Sequence, residues 1–214
     1  MSAARLRAQC MPNDDDDNDG GAAASYVRVF VDGVLAGHVF ACRWTYRSQD
    51  DDDDDDDDND SSSSPGRTVC WITQLVVHRE YRRRGLATGL LNELRETNSS
   101  GGGEVCGILS SHPAACLTVA KVFRRSRIRL DFIQAHAAAI MKASPVSYVR
   151  DARLHGSLFD SATNPHGAVS SADTNFHVDH REPSAALAEI RATMDHYWPR
   201  GDLGGDGHEY LLIV

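Results

Sequence analysis

The stretch of this chain with the clearest chemical content is LVVHREYRRRGLAT, residues 75–88. An apolar strand runs into a short basic turn, and the turn runs into a helix with Gly85 at its opening. A helix start carries backbone N–H groups without intrahelical acceptors and a partial positive charge. Glycine lets an anion approach that backbone closely, and Arg82, Arg83 and Arg84 add charge beside it. Together these make a cradle for a pyrophosphate. Neither the P-loop pattern nor the GxGxxG dinucleotide pattern occurs in the chain. Without its flanking strand and helix, the same run would read as an exposed basic turn.

A later segment, ADTNFHVDH at residues 172–180, is the second candidate. A period of two puts Ala172, Thr174, Phe176 and Val178 on one face and Asp173, Asn175, His177 and Asp179 on the other. An unperturbed imidazole titrates near pH ~6.5, and Asp179 on the same face would orient it, which makes His177 the candidate catalytic base. The alternative is a solvent-facing polar side of an alternating strand. The ten histidines include no HExxH, and His177 and His180 would point to opposite faces, so no metal site is expected. No GxSxG or Cys–His pattern supports a hydrolase built on the C-terminal His and Asp residues. Arg124, Arg125, Arg127 and Arg129 read as a basic helix end, because few aromatics and only two lysines accompany them, and no nucleic-acid partner is expected.

The elements that position these residues follow from patterning. The alternating segment YVRVFVDGVLAGHVFACRW contains Asp32-Gly33, a two-residue hairpin signal. A third strand is predicted over 69–77. Leu86, Leu90, Leu91 and Leu94 predict a helix from about Arg84 or Gly85, followed by a strand over 105–109. Pro113 opens a helix through about Phe123, and a further helix covers 131–143. Strands are predicted over 146–159 and 168–180. An amphipathic helix over 183–196 turns Leu187, Ile190 and Met194 inward, and a last strand covers 208–214. This order implies an α/β fold, a mixed sheet with helices on its faces. The 214 residues carry 22 basic and 31 acidic side chains, a formal charge of −9. Asp14 to Asp17 with Asp19, and Asp50 to Asp58 with Asp60, hold fifteen of those acids. The remainder of the chain is therefore basic, able to hold a polyanionic small molecule. Residues 1–24 read as a disordered acidic tail and residues 48–66 as a disordered poly-Asp loop. One domain then spans 25–214. Five cysteines without CxxC spacing point to a reducing compartment, cytoplasmic or nuclear. No apolar run suits a spanning helix or a secretory signal, and no membrane partner is expected.

The pattern Arg-x-x-Gly-x-Ala, at Arg82, Gly85 and Ala87 after the strand LVV, resembles the acyl-CoA loop of the GNAT superfamily of N-acetyltransferases. The segment GILSSHPAACLTVAKV, residues 107–122, resembles the strand and helix that close the cofactor site there, with His112 where the family has Asn. The resemblance covers about residues 25–123. It implies a GNAT-like fold, a mixed and mostly antiparallel twisted sheet with helices on both faces. It also implies acetyl-CoA as co-substrate and a small-molecule or peptide amine as acceptor. Leu75, Val76 and Val77 would offer backbone groups to the pantetheine arm. Arg82, Arg83, Arg84, Gly85, Leu86, Ala87 and Thr88 would bind the pyrophosphate. His112 and Ala115 would sit near the pantetheine or the adenosine, Arg124 and Arg125 near the 3′-phosphate, and His177 beside the opened centre of the sheet.

The chain departs from that pattern in three places. Only the tail precedes the hairpin, where the family has a strand and two helices. The helix position that often carries a Tyr general acid falls at Val119, and the strand position that often carries a Glu base falls at about Trp71. Cys116 is a buried small hydrophobe or, alternatively, a donor to the leaving thiolate. Two functions fit: acetyl transfer to a primary amine in a ternary complex, or a non-catalytic acyl-CoA-binding module on a degraded version of the fold.

Overall fold

The computed structural model describes residues 23–47, 66–97, 104–123, 128–160, 167–176, 179–193 and 201–214. The chain opens with a hairpin, β1 (Ala23–Val31) and β2 (Val34–Tyr46), turned by Asp32 at φ 50° and Gly33 at φ 78°. Positive φ at both central residues is the type I′ requirement that Asp-Gly meets cheaply. β3 (Arg67–Val77) follows, then a 3₁₀ turn (Arg79–Tyr81) and helix α1 (Leu86–Thr97). Next come β4 (Val105–Ser110), α2 (Pro113–Phe123), α3 (Leu130–Lys142), the one-turn α4 (Ser147–Arg150) and β5 (Arg153–His155). β6 (Ser171–Phe176), α5 (Arg181–Thr193) and β7 (Gly207–Ile213) complete the described elements.

These strands form one seven-stranded mixed sheet in the order β1-β2-β3-β4-β7-β6-β5. Only β3 and β4 run parallel, and the other neighbours are antiparallel. Each face carries its own core. Leu90, Leu91 and Leu94 of α1 and Cys116, Val119 and Ala120 of α2 pack with Cys70, Ile72, Cys106, Ile108 and Leu212. On the other face Ile133, Ala137, Ile140 and Met141 of α3 and Val149 of α4 pack with Val69, Trp71, Leu109, Leu211 and Ile213. The leucine spacing of α1 thus becomes its buried stripe.

The parallel contact at the centre depends on one glycine. Gly107 pairs with Trp71, and a Cβ there would lie 2.2 Å from the indole Cε3. Trp71 is fully buried, so the ring has no room to withdraw. Gly107→Ala is expected to destabilise the fold by roughly 1–3 kcal/mol or more, the range for overpacking, read as a lowered urea midpoint.

Residues 146–159 were expected as a strand and are not one. Val146 and Val149 both turn into the α3-side core, which suits a helical turn. Ser144 Oγ accepts the Val146 N–H at 3.2 Å at its start. Only Arg153–His155 remain extended, and Gly156 at φ 110° ends them. Of the strand expected over 168–180, Ser171–Phe176 are extended, residues 177 and 178 lie outside the described residues, and the period breaks at Asn175, φ 57°. Of the inward set on α5, Leu187 is buried, Ile190 is half-buried, and Met194 lies outside the described residues. The acidic tail and poly-Asp loop fall outside them too, apart from Ala23 and Ala24 in β1 and Gly66. Tyr46 pairs directly with Arg67, so the ends of that connection already meet in the sheet. Deleting residues 50–60 should therefore shift the unfolding midpoint little, since closure cost varies slowly with length. The deletion removes ten Asp and takes the formal charge from −9 to +1. A deletion variant unable to fold would show the segment to be structural.

Candidate functional site

The parallel strands β3 and β4 pair only over Val69–Ile72 with Val105–Ile108. β4 then continues against β7 through Ser110, while β3 continues to Val77 against β2 alone. The two strands so part company into a V, with Thr73 to Val77 on one arm and Leu109 to Ser111 on the other. A bulge at Thr73 marks the parting, because Ala41 pairs with Ile72 and Phe40 with Gln74. One extra residue reverses the alternation. Cys70 and Ile72 face the α1–α2 core before the bulge, and Leu75 and Val77 face it after. Leu75, Val76 and Val77 thus have no strand on the β4 side among the described residues, as a peptide-like ligand would need.

β3 delivers the chain to the basic turn. Arg82 Nε donates to the Val77 carbonyl at 3.1 Å, which folds the turn back on the strand end. Arg83 has φ 62° and Gly85 φ 78°. Left-handed residues interrupting right-handed ones turn backbone N–H groups into a concavity suited to an anion. α1 starts at Leu86, and the Gly89 N–H reaches back to the Gly85 carbonyl at 3.0 Å. The N–H groups of Leu86, Ala87 and Thr88 precede any intrahelical acceptor. A Cβ at Gly85 would meet nothing within 4 Å, so the space in front of this backbone is open.

The arginines are not idle. Arg82 pairs with Glu182, and Arg83 NH2 lies 2.9 Å from Glu189 Oε2. These glutamates are seven residues apart on α5, two turns on one face. Arg84 lies over the Tyr81 ring at 5.3 Å. Arg82 and Arg83 are thus both engaged by α5. Replacing Glu182 and Glu189 together by Gln is expected to tighten acetyl-CoA binding about two- to thirtyfold by calorimetry, since exposed pairs contribute about 0.2–1 kcal/mol each.

The opposite wall is the start of α2. His112 Nδ1 accepts the Ala114 N–H at 3.3 Å, and its carbonyl accepts the Ala115 N–H at 3.0 Å. His112 thus caps the helix, and Pro113 fills the first position, which needs no donor. Burial, and secondly the Arg82 guanidinium, hold its imidazole below the usual value, so it is neutral at pH 7. Its Nε2 is 4.0 Å from Glu182 of α5, beyond hydrogen-bond distance.

The expected acid–base positions are apolar: Trp71 and Val119 are both fully buried. Burial and the Glu209 charge push the Cys116 thiol far above its usual range, which makes it a packing residue. His177 lies outside the described residues, as do Arg124, Arg125 and Arg127. Asp179 accepts the Arg181 N–H at 3.0 Å and that residue's guanidinium at 2.9 Å, so it is committed to the start of α5. Its expected role as an orienter of His177 involves a partner outside the described residues. Arg129 pairs with Asp131 in the first turn of α3 rather than extending a basic patch.

Two groups were missed in the sequence. Glu209 on β7 shares a face with Leu211 and Ile213, and Ser111 at the tip of the β4 arm offers it a backbone hydrogen bond. Desolvation pushes its carboxyl above the usual range, and the bonds from Thr174 and Ser111 only partly oppose this. The signal was present: a single carboxylate on the apolar side of HEYLLIV. Tyr148 on α4 places its hydroxyl 3.5 Å from the Thr73 carbonyl at the bulge, with its ring edge-on to Phe176. The false strand over 146–159 hid it.

Among the described residues no helix is long and apolar enough to cross a membrane. No curated protein matches the chain. Residues 4–113, just over half of the 214, match the profile of the Acetyltransferase (GNAT) family. With its α/β mixed sheet, parted β3 and β4 and open glycine cradle, the chain belongs to the GNAT acetyltransferase family.

Proposed function

We propose that the protein moves an acetyl group from acetyl-CoA to a primary amine by direct attack in a ternary complex. The observation that carries this reading is the V between β3 and β4, which opens onto the Gly85 cradle. Leu75, Val76 and Val77 receive the pantetheine, and Arg82 to Thr88 receive the pyrophosphate. His112 and Ala115 border them from α2. The amine enters on the face of Tyr148 and Glu209, opposite the α1–α2 core. Its nitrogen attacks the thioester carbonyl, and a backbone N–H at Leu75 or its neighbour holds the oxyanion. The C–S bond breaks, a base takes the ammonium proton, and the leaving thiolate takes up a proton from that base or from solvent, so CoA leaves as the thiol. Glu209 is the base favoured by position and by its raised proton affinity, and His177 is the alternative. The buried thiols of Cys70, Cys106 and Cys116 form no disulfide among the described residues, which fits a reducing compartment, cytoplasm or nucleus.

The buried Val119, with no hydroxyl to offer, favours the second reading, a binding module without turnover. Thiol release from acetyl-CoA with polyamines, arylamines and peptide N-termini separates the two. Release that depends on one amine class supports transfer. Acetyl-CoA binding without release across the panel supports the module.

A further inference from the structure

Three adjacent strands bring a different set of side chains together, away from the V. His155 on β5, Asp173 on β6 and His208 on β7 each offer one ligand atom, and these atoms lie within 4.8 Å of one another. The register explains the meeting. Asp173 pairs directly with His208, and His155 pairs with Ser171, one step diagonal to Asp173. All three share a face of the sheet and are half-buried. The two imidazoles stand 5.1 Å apart, centroid to centroid.

The surroundings are built for ligation as well. His155 Nδ1 is 3.3 Å from Asp160 Oδ2, and the same carboxylate oxygen accepts the Gly156 N–H at 2.9 Å. A carboxylate on Nδ1 fixes that proton and leaves Nε2 with its lone pair, the arrangement that supports a metal-bound histidine. Asp173 Oδ1 accepts the Asn175 N–H at 3.0 Å, which pins the side chain and leaves Oδ2 for another partner. Arg153, the cross-strand neighbour of Asp173, makes no ion pair with it among the described residues.

We propose that His155, Asp173 and His208 form a binding site for a divalent transition metal such as zinc, with Asp160 positioning His155. Two imidazoles and one carboxylate suit Zn²⁺ and leave a coordination position for water. Ligand atoms around tetrahedral zinc stand about 3.3 Å apart for bonds of about 2.0 Å, so small side-chain rotations complete the set. The sequence argued against a metal from His177 and His180, and this cluster uses neither.

The test is titration of chelator-treated full-length protein with Zn²⁺ by calorimetry and with Co²⁺ by visible absorption. One tight equivalent, with tetrahedral Co²⁺ bands, is expected. His155→Ala and His208→Ala should each abolish that equivalent, and Asp160→Asn should weaken it about 10- to 100-fold. Asp173→Asn, the mildest change in shape, covers the case in which a histidine variant fails to fold. Weak, multiple binding that is lost on deleting residues 50–60 would overturn the proposal in favour of the acidic run. Tight binding unchanged in the His155 and His208 variants, or no binding, would overturn it as well. Each readout is independent of acetyl-CoA.

Discussion

Gly85→Asp is expected to abolish acetyl-CoA binding while leaving the chain folded. The position has φ 78°, which Asp tolerates better than most residues, and a Cβ there meets no protein atom within 4 Å. The fold should therefore accept the change. The ligand should not, because the new side chain fills the approach to the N–H groups of Leu86, Ala87 and Thr88 and sets a carboxylate against a pyrophosphate. Losing two hydrogen bonds to a charged group costs about 3–6 kcal/mol, so affinity by calorimetry should fall by roughly 100-fold or more. Arg83→Ala is the milder companion. Its side chain is 83% exposed and already shared with Glu189, so the loss should be about 1 kcal/mol. Unchanged affinity in the Gly85 variant would move the ligand elsewhere.

Glu209→Gln should separate turnover from binding. The raised carboxyl means that the folded state holds its proton to a higher pH than the unfolded chain does. Stability contributed by Glu209 is full below the usual carboxylate range. It falls as pH rises from there to the folded-state value and stays level above it. Gln carries no such loss, so the variant should gain stability over wild type as pH rises through that window and match it in acid. Activity should move the other way. With an accepted amine, wild-type turnover rises as Glu209 loses its proton. Glu209→Gln should lack that limb and lose about 10²–10⁴ in rate, with acetyl-CoA affinity retained. An unaltered profile in Glu209→Gln together with a lost limb in His177→Ala would assign the base to His177.

The readability of this chain divides along local and non-local lines. Asp32-Gly33, the leucines of α1 and Pro113 act through their own neighbours, and each element they mark lies where the sequence places it. The left-handed turn before α1 was legible for the same reason, since Gly85 and the arginines are contiguous. What escaped depends on partners far along the chain. The Thr73 bulge exists only in pairing with β2, and it reverses which side chains of β3 face each core. Val146 and Val149 alternate poorly as a strand yet fit the space beside α3 as a turn of helix. The glutamates that hold Arg82 and Arg83 lie about a hundred residues downstream. Glu209 gains its proton affinity only once β4 and β6 enclose it.

The account rests on acyl-CoA lying in the V with its pyrophosphate on the turn before α1. Amide chemical-shift mapping on titration with CoA tests this at the atoms concerned. The amides of Gly85, Leu86, Ala87 and Thr88, with those of Leu75, Val76 and Val77, are expected to shift together and saturate with one affinity. Shifts confined to other parts of the sheet, or none at saturating CoA, would contradict it.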